Sequence, residues 1–220
     1  MDYLPNLLFG ALVTLAVAFM AIVMGSVFGL LGAISRLSHS LIARAISGFY
    51  ITVIRGTPDL IIILVIYFGG TVGLSKLFGQ TVAVNEFTAG SFALAFVFGA
   101  YATEIFRGAI SSIPQGQTEA ARALSLGRFV VFFRIILPQA WRLALPAFGN
   151  QSIIVIKQTS LISVVGLEEL MRSASIAAGA SREPFKWYFT AACIYLMMTS
   201  LMTLLLRYAE ARSNLSIRRS

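Results

Sequence analysis

The 220-residue chain has one cysteine, Cys193, one histidine, His39, and only 12% charged residues. A single thiol excludes a disulfide-stapled secreted domain, which needs paired cysteines to offset a small core. One imidazole excludes a histidine triad and a histidine-based metal cluster. Acidic side chains number nine against 17 Lys and Arg. In a soluble chain that balance would point to a polyanion, but a chain this apolar makes a poor polyanion surface, and no nucleic acid partner is expected. What fills the sequence is apolar: 58% of its residues, with 17 Phe among them. Soluble domains hold roughly 45–50% apolar and about 25% charged residues. The surplus is too large for one soluble core and excludes disorder. The composition is that of a multi-span integral membrane protein.

Five segments approach or exceed the roughly 20 residues a helix needs to cross the hydrocarbon, which makes the expected fold all-α. The first runs from Gly10 to Ile34 without a charge, and in it Gly25 and Gly29 form a small-x-x-x-small pair, with Gly32 close by. The others cover Pro58 to Leu74, Phe87 to Ile105, Leu143 to Val165 and Tyr188 to Leu206. Residues 36–55 set Arg36, His39, Arg44 and Arg55 among apolar side chains, which suits an interfacial amphipathic helix or an extension of the second span. Loops are expected at 76–86 and 166–187, and residues 108–142 form the longest non-spanning stretch. The first 30 residues lack the basic leader and cleavage site of a signal peptide.

Five spans place the chain ends on opposite sides. With the N-terminus outside, twelve of the 17 Lys and Arg lie inside, Arg122, Arg128, Arg134, Arg142, Arg218 and Arg219 among them. Basic loops stay cytoplasmic, so the expected topology is N-terminus periplasmic and C-terminus cytoplasmic.

The inner stretch from Gly116 to Asn150 reads GQTEAARALSLGRFVVFFRIILPQAWRLALPAFGN. By its residues alone, Glu119 to Phe133 holds good helix formers and Pro138 marks a helix stop or turn. An amphipathic helix lying on the membrane would carry the same arginine spacing. The stretch resembles the cytoplasmic signature of permease subunits of bacterial ATP-binding-cassette (ABC) importers: Glu-Ala-Ala, three residues, Gly, nine residues, then Ile-x-Leu-Pro. Glu119, Ala120, Ala121, Ile135, Leu137 and Pro138 match it. The signature glycine falls on Ser125, which implies an altered turn, with Gly127 the alternative source of flexibility. IRGTPDL (54–60), GAYATEIFRGAISSIPQGQTEAA (99–121) and LPAFGNQSIIVIKQTSLISVVGLEEL (145–170) narrow the resemblance to polar amino acid importers. RGTPDL, KQTSL and EPF (183–185) are most similar to the first permease of histidine, lysine/arginine/ornithine and opine importers.

The resemblance implies a type I importer transmembrane domain over residues 1–220: five transmembrane helices and a cytoplasmic coupling helix in the region 116–138 that docks on an ATPase subunit. Glu119 would pair with a base there or cap a turn, and Ala120 and Ala121 would permit close approach. The implied partners are a second homologous permease, two cytoplasmic ATP-binding subunits carrying ATP and magnesium, a periplasmic substrate-binding protein, and membrane lipid. The chain itself has no Gly-x-x-x-x-Gly-Lys-Ser/Thr sequence to hold nucleotide phosphates, so it is expected to be non-catalytic and without cofactor or metal.

Polar side chains at membrane depth are costly unless paired or hydrated. The fourth span carries Asn150, Gln151, Lys157, Gln158, Thr159 and Ser160. Gln151 and Gln158 lie two turns apart and share a face, as do Asn150 and Lys157. A substrate path, with Tyr101 as a further candidate, and an interhelical polar network both fit. Arginine-importing chains that resemble this one carry acids at the positions of Gln151 and Gln158. Amides here imply that the partner permease supplies the acid, or that the substrate is histidine or an opine. A non-basic substrate such as glutamine or glutamate is the alternative. Spacing of three and four residues pairs Glu104 with Arg107 and Arg55 with Asp59. Cys193 reads as a small buried hydrophobe, and Glu168 and Glu169 as a solvated loop or a contact for the binding protein. A membrane enzyme lacks its catalytic constellation here, and a channel or structural subunit would not need the coupling motif.

Overall fold

A computed structural model describes residues 3–79 and 85–214, and among these the regular structure is entirely helical. Residues 80–84 of the loop expected at 76–86, and Arg218 and Arg219 of the charge count, lie outside the described residues. Helix α1 (Leu4–Leu37) opens with Pro5 in its first turn, where a missing N–H is no loss. Ser40 accepts from the Ala43 N–H at 3.3 Å and starts α2 (Leu41–Gly56). Thr57 and Pro58 are extended, as a residue before proline prefers, so α3 (Asp59–Phe78) is a separate helix. The 36–55 stretch is therefore no extension of the second span. Arg36 lies in the last turn of α1, His39 lies in the turn after it, and α2 is an amphipathic helix that turns Ser47, Ile51 and Ile54 toward the protein and Ile42, Ile46 and Phe49 outward.

Asn85 Oδ1 caps α4 (Glu86–Ser111), accepting from Phe87 N–H at 3.0 Å and Thr88 N–H at 3.2 Å. After a turn at Ser112–Pro114 comes the short α5 (Gln115–Ala123). Helix α6 (Arg128–Val131) then continues through a wide π turn (Phe132–Ile136) into α7 (Leu137–Gln158) and a tighter 3-10 stretch (Thr159–Val165). The fourth apolar helix thus begins at Arg128, well before Leu143. Pro138 does not stop it. The Leu137 N–H reaches back five residues to Phe132 O, and the proline follows directly in the widened turn. The stretch 166–187, expected as loop, contains α8 (Leu170–Ser181), followed by α9 (Pro184–Asn214).

Helix α4 is the centre: 72% of its most apolar 18-residue stretch is buried, against 12% for α3 and 11% for α9. Its tight seam with α1 needs glycine. A Cβ on Gly29 would stand 2.5 Å from Ala102 Cβ, and one on Gly32 2.1 Å from Thr103 Oγ1. A smaller cluster joins the start of α1 to α8 and α9 through Leu7, Leu170, Ala174, Trp187 and Ile194. Because Ala191 and Ile194 are the inward residues of α9, Cys193 is exposed and not buried. The outward apolar faces of α3 and α9 need lipid or another chain to cover them.

Candidate functional site

At one end of the bundle, α5 carries the Glu-Ala-Ala residues. Ala121 is buried against its own chain, whereas Glu119 and Ala120 face outward. Glu119 makes no hydrogen bond or ion pair among the described residues. Gln139 Nε2 donates to Gln117 Oε1 and, at 2.8 Å, to Ile135 O, which ties α5 to the start of α7. Ile135 is half-buried, while Leu137 and Pro138 are exposed.

The end of α5 explains the signature glycine. The Leu126 N–H bonds to Ala121 O at 3.1 Å and the Ser125 N–H to Arg122 O at 2.9 Å, the bond pair of a Schellman cap. Such a cap needs a left-handed residue just past the helix, and Ser125 supplies it with φ 58°. The turn is therefore retained with serine bearing the strain. Gly127 does not take over: its φ of −65° and ψ of 151° are open to any residue. Leu124 in this turn and Phe129 and Phe133 after it are exposed.

The polar residues of span four do not form one path. Gln151 is buried and Asn150 exposed. Gln158 Nε2 donates to Asp59 Oδ2 at the start of α3, and Gln158 Oε1 is buried with no donor among the described residues. Lys157 turns away from that contact. It lines a groove of about 720 Å³ with Ser160, Met171, Tyr188 and Tyr195. Thr159 and Ser160 bond back to Ile156 O and Lys157 O at 2.8 and 2.7 Å, as part of the helix end. Asp59 is thus joined to Gln158 and makes no ion pair with Arg55. The Arg55 guanidinium lies over the Tyr101 ring, 5.3 Å from its centroid.

On α4, Glu104 accepts from Arg107 Nη2 at 2.7 Å and from Arg107 Nε at 3.0 and 3.2 Å. Arg36 Nε at the end of α1 is 3.7 Å from the same carboxylate. Tyr50 of α2 donates to Phe96 O of α4, and burial pushes its phenol further above the ordinary tyrosine value.

Glu169 reads from the sequence as part of a solvated loop or a contact for the binding protein, but its side chain is fully buried. It accepts from Thr14 Oγ1 at 3.2 Å, Tyr195 OH at 2.9 Å and the Arg172 N–H at 2.9 Å, so it joins α1 and α9 and caps α8. Only a helix-start signal before Leu170 could have distinguished it from exposed Glu168.

Residues 25–214 match the family described as binding-protein-dependent transport system inner membrane component. The chain belongs to this family. It is 45% identical over 211 residues to the octopine transport system permease protein OccQ of Rhizobium meliloti, covering 94% of this chain and 89% of that protein. It is 37% identical to the histidine/lysine/arginine/ornithine transport system permease protein HisQ of Escherichia coli K12, over 96% of this chain and 94% of that one. Among solved structures, a chain of an amino acid ABC transporter crystallised with histidines superposes with a TM-score of 0.84 at 35% identity, covering 96% of this chain and 99% of that one. A methionine ABC transporter chain, 17% identical with a TM-score of 0.70, shares the fold. The protein is a multi-pass inner-membrane transport permease with the five apolar helices expected from its sequence.

Proposed function

We propose that this permease is one transmembrane half of an ATP-driven importer for a polar, basic amino acid (histidine, arginine, lysine or ornithine) or an opine. Its partners in this reading are a second homologous permease, two cytoplasmic ATP-binding subunits holding ATP and magnesium, and a periplasmic binding protein. The named substrates of its relatives support the class. The observation that carries it is the acceptor pair of Asp59 and Gln158: a carboxylate beside a buried amide oxygen that lacks a donor. An ammonium, imidazolium or guanidinium group supplies the missing donor and the countercharge. Gln151, two turns earlier on the same face as Gln158, extends the path, and Lys157 and Ser160 line a separate groove in which the ammonium can hold a carboxylate. Because Gln151 and Gln158 are amides where two acids would favour a cation, a non-basic amino acid such as glutamine is the second reading.

The whole chain acts as one transmembrane domain, with residues 116–138 as the coupling region. The N-terminus and α8 lie on the periplasmic side, and α5 and the C-terminus in the cytoplasm. Glu119, Ala120 and Leu124 form the outward surface of α5 that meets an ATPase groove, and Ser125 shapes the turn after it. ATP-driven closure moves the two coupling helices together and opens the periplasmic side, and hydrolysis restores the inward cavity. Outer apolar faces contact lipid and the second permease. ATP hydrolysis stimulated by the cognate binding protein is measured with each candidate amino acid, using the purified complex in nanodiscs. Stimulation confined to basic amino acids or opines supports the reading, and stimulation by glutamine or glutamate alone overturns the basic assignment.

A further inference from the structure

Arg55, at the end of α2, is a cation without an anion. Its guanidinium carbon stands 5.3 Å from the centroid of the Tyr101 ring, and it makes no hydrogen bond or ion pair among the described residues. The acids that the chain places closest are engaged elsewhere. Asp59, across the extended Thr57–Pro58 break, accepts from Gln158. Glu104, one turn after Tyr101, accepts from Arg107 at 2.7 Å and lies 3.7 Å from Arg36. An aromatic ring holds a cation through its quadrupole and supplies no lone pair, so the N–H donors of Arg55 keep their capacity for an oxyanion.

The cation also lies deep. Tyr101 precedes the Ser111 end of α4 by about 15 Å along the helix axis. Helix α4 is about 39 Å long against roughly 30 Å of hydrocarbon, so with even overhang the ring sits about 10 Å inside the core. A guanidinium at that depth needs a counter-charge or water, and Arg55 is exposed to receive one. Even a fully extended chain separates Arg55 from Asp59 by no more than about 14 Å. An extended arginine measures about 7 Å from carboxyl to guanidinium carbon, and bonds of about 2.8 Å at each end let it bridge such a gap. Lys157 offers no such pairing, because it turns from Gln158 into the groove of Tyr188 and Tyr195.

We propose that Arg55 is the anion anchor of the substrate site: it binds the α-carboxylate of the amino acid whose cationic end rests on Asp59 and Gln158. Tyr101 is the positioning residue that holds the guanidinium. The proposal rests on the reading of Asp59 and Gln158 as the cation end. It makes a carboxylate a condition of recognition, so an amine with the same cationic group and no carboxylate is refused. The planar fork of Arg55 suits a carboxylate in two parallel bonds, which a lysine there would not reproduce.

The test is equilibrium binding to the purified complex of both permeases and the ATP-binding subunits, in nanodiscs without the binding protein. The ligands are arginine and agmatine, which keeps the guanidinium and lacks the carboxylate. Wild type should prefer arginine by about tenfold or more, the scale of one charge-assisted hydrogen bond. Arg55→Gln should abolish that preference by weakening arginine while agmatine stays within about twofold. Arg55→Lys should keep part of it, and Tyr101→Leu should lower it. A merely structural role predicts equal loss for both ligands, and that result overturns the proposal. A preference that survives Arg55→Gln, or that is lost in Lys157→Gln instead, overturns it as well. If Arg55→Gln fails to assemble, an unchanged preference in Tyr101→Leu overturns it equally. Asp59→Asn tests the cation end separately and should weaken both ligands alike. If it spares both while Arg55→Gln removes the preference, the cation-end reading fails and the anion anchor stands. A wild-type complex that binds neither ligand overturns both.

Discussion

Gln158 at the end of α7 donates to Asp59 at the start of α3, a contact that bridges 99 residues of sequence. It orients the amide, because only the NH2 group can face a carboxylate, and leaves the Gln158 oxygen free to accept. Replacing Gln158 by Glu sets a second carboxylate beside Asp59, and the pair favours a cation strongly. Gln158→Glu should raise uptake of arginine relative to glutamine by roughly tenfold or more, the scale of one charge-assisted hydrogen bond of about 1.5 kcal/mol. Competition uptake with labelled substrates checks it, and an unchanged ratio removes Gln158 from the path.

The glycine seam predicts a stability effect with little chemistry in it. Gly32→Val places methyl groups where Thr103 already stands. Overpacking of this kind costs about 1–3 kcal/mol. The variant should unfold at lower temperature in detergent than Gly56→Ala, a control with open space around it.

Ser125 predicts the opposite sign. Its left-handed backbone strains any residue with a Cβ, by roughly 1 kcal/mol. Ser125→Gly should relieve the turn and slow proteolysis between α5 and α6 while transport persists. Ser125→Val should hasten cleavage.

The spans were legible because length and apolarity decide them, whereas residues 36–55 read equally as an interfacial helix and as an extension of the second span. The pairing of Arg55 with Asp59 was misread for a physical reason. A spacing of four brings side chains together only within one helix, and the extended Thr57–Pro58 pair rotates α3 away from α2. Pro138 read as a stop because the π turn that accommodates it has no local signature. Span four read as two adjoining polar faces, Gln151 with Gln158 and Asn150 with Lys157, and the different surroundings of adjacent Lys157 and Gln158 are revealed only by the packing of α3, α8 and α9. Cys193 was placed inside because the helical phase of α9 is set by its neighbours Ala191 and Ile194.

Glu169 predicts a graded loss. Tyr195→Phe removes one donor to a buried carboxylate and should cost about 1.5–3 kcal/mol. Glu169→Ala strands the Arg172 N–H and removes the α8 cap as well, so its loss should be larger. Thermal unfolding of the two variants side by side gives the order.

The proposed topology predicts that cysteines at positions 44 and 182 label from opposite sides. In a Cys193→Ser background, a membrane-impermeant maleimide added outside spheroplasts should modify Arg182→Cys and spare Arg44→Cys until the membrane is opened. The reverse pattern inverts the assignment of periplasm and cytoplasm.

The most direct test of the central claim is uptake of labelled histidine, arginine, lysine, ornithine and opines into proteoliposomes that contain this chain, its partner permease, the ATP-binding subunits and the cognate binding protein. The account predicts accumulation of a basic amino acid or opine that requires ATP and stops when the ATPase loses its catalytic base. No ATP-dependent accumulation of any amino acid by a folded, complete complex would contradict it.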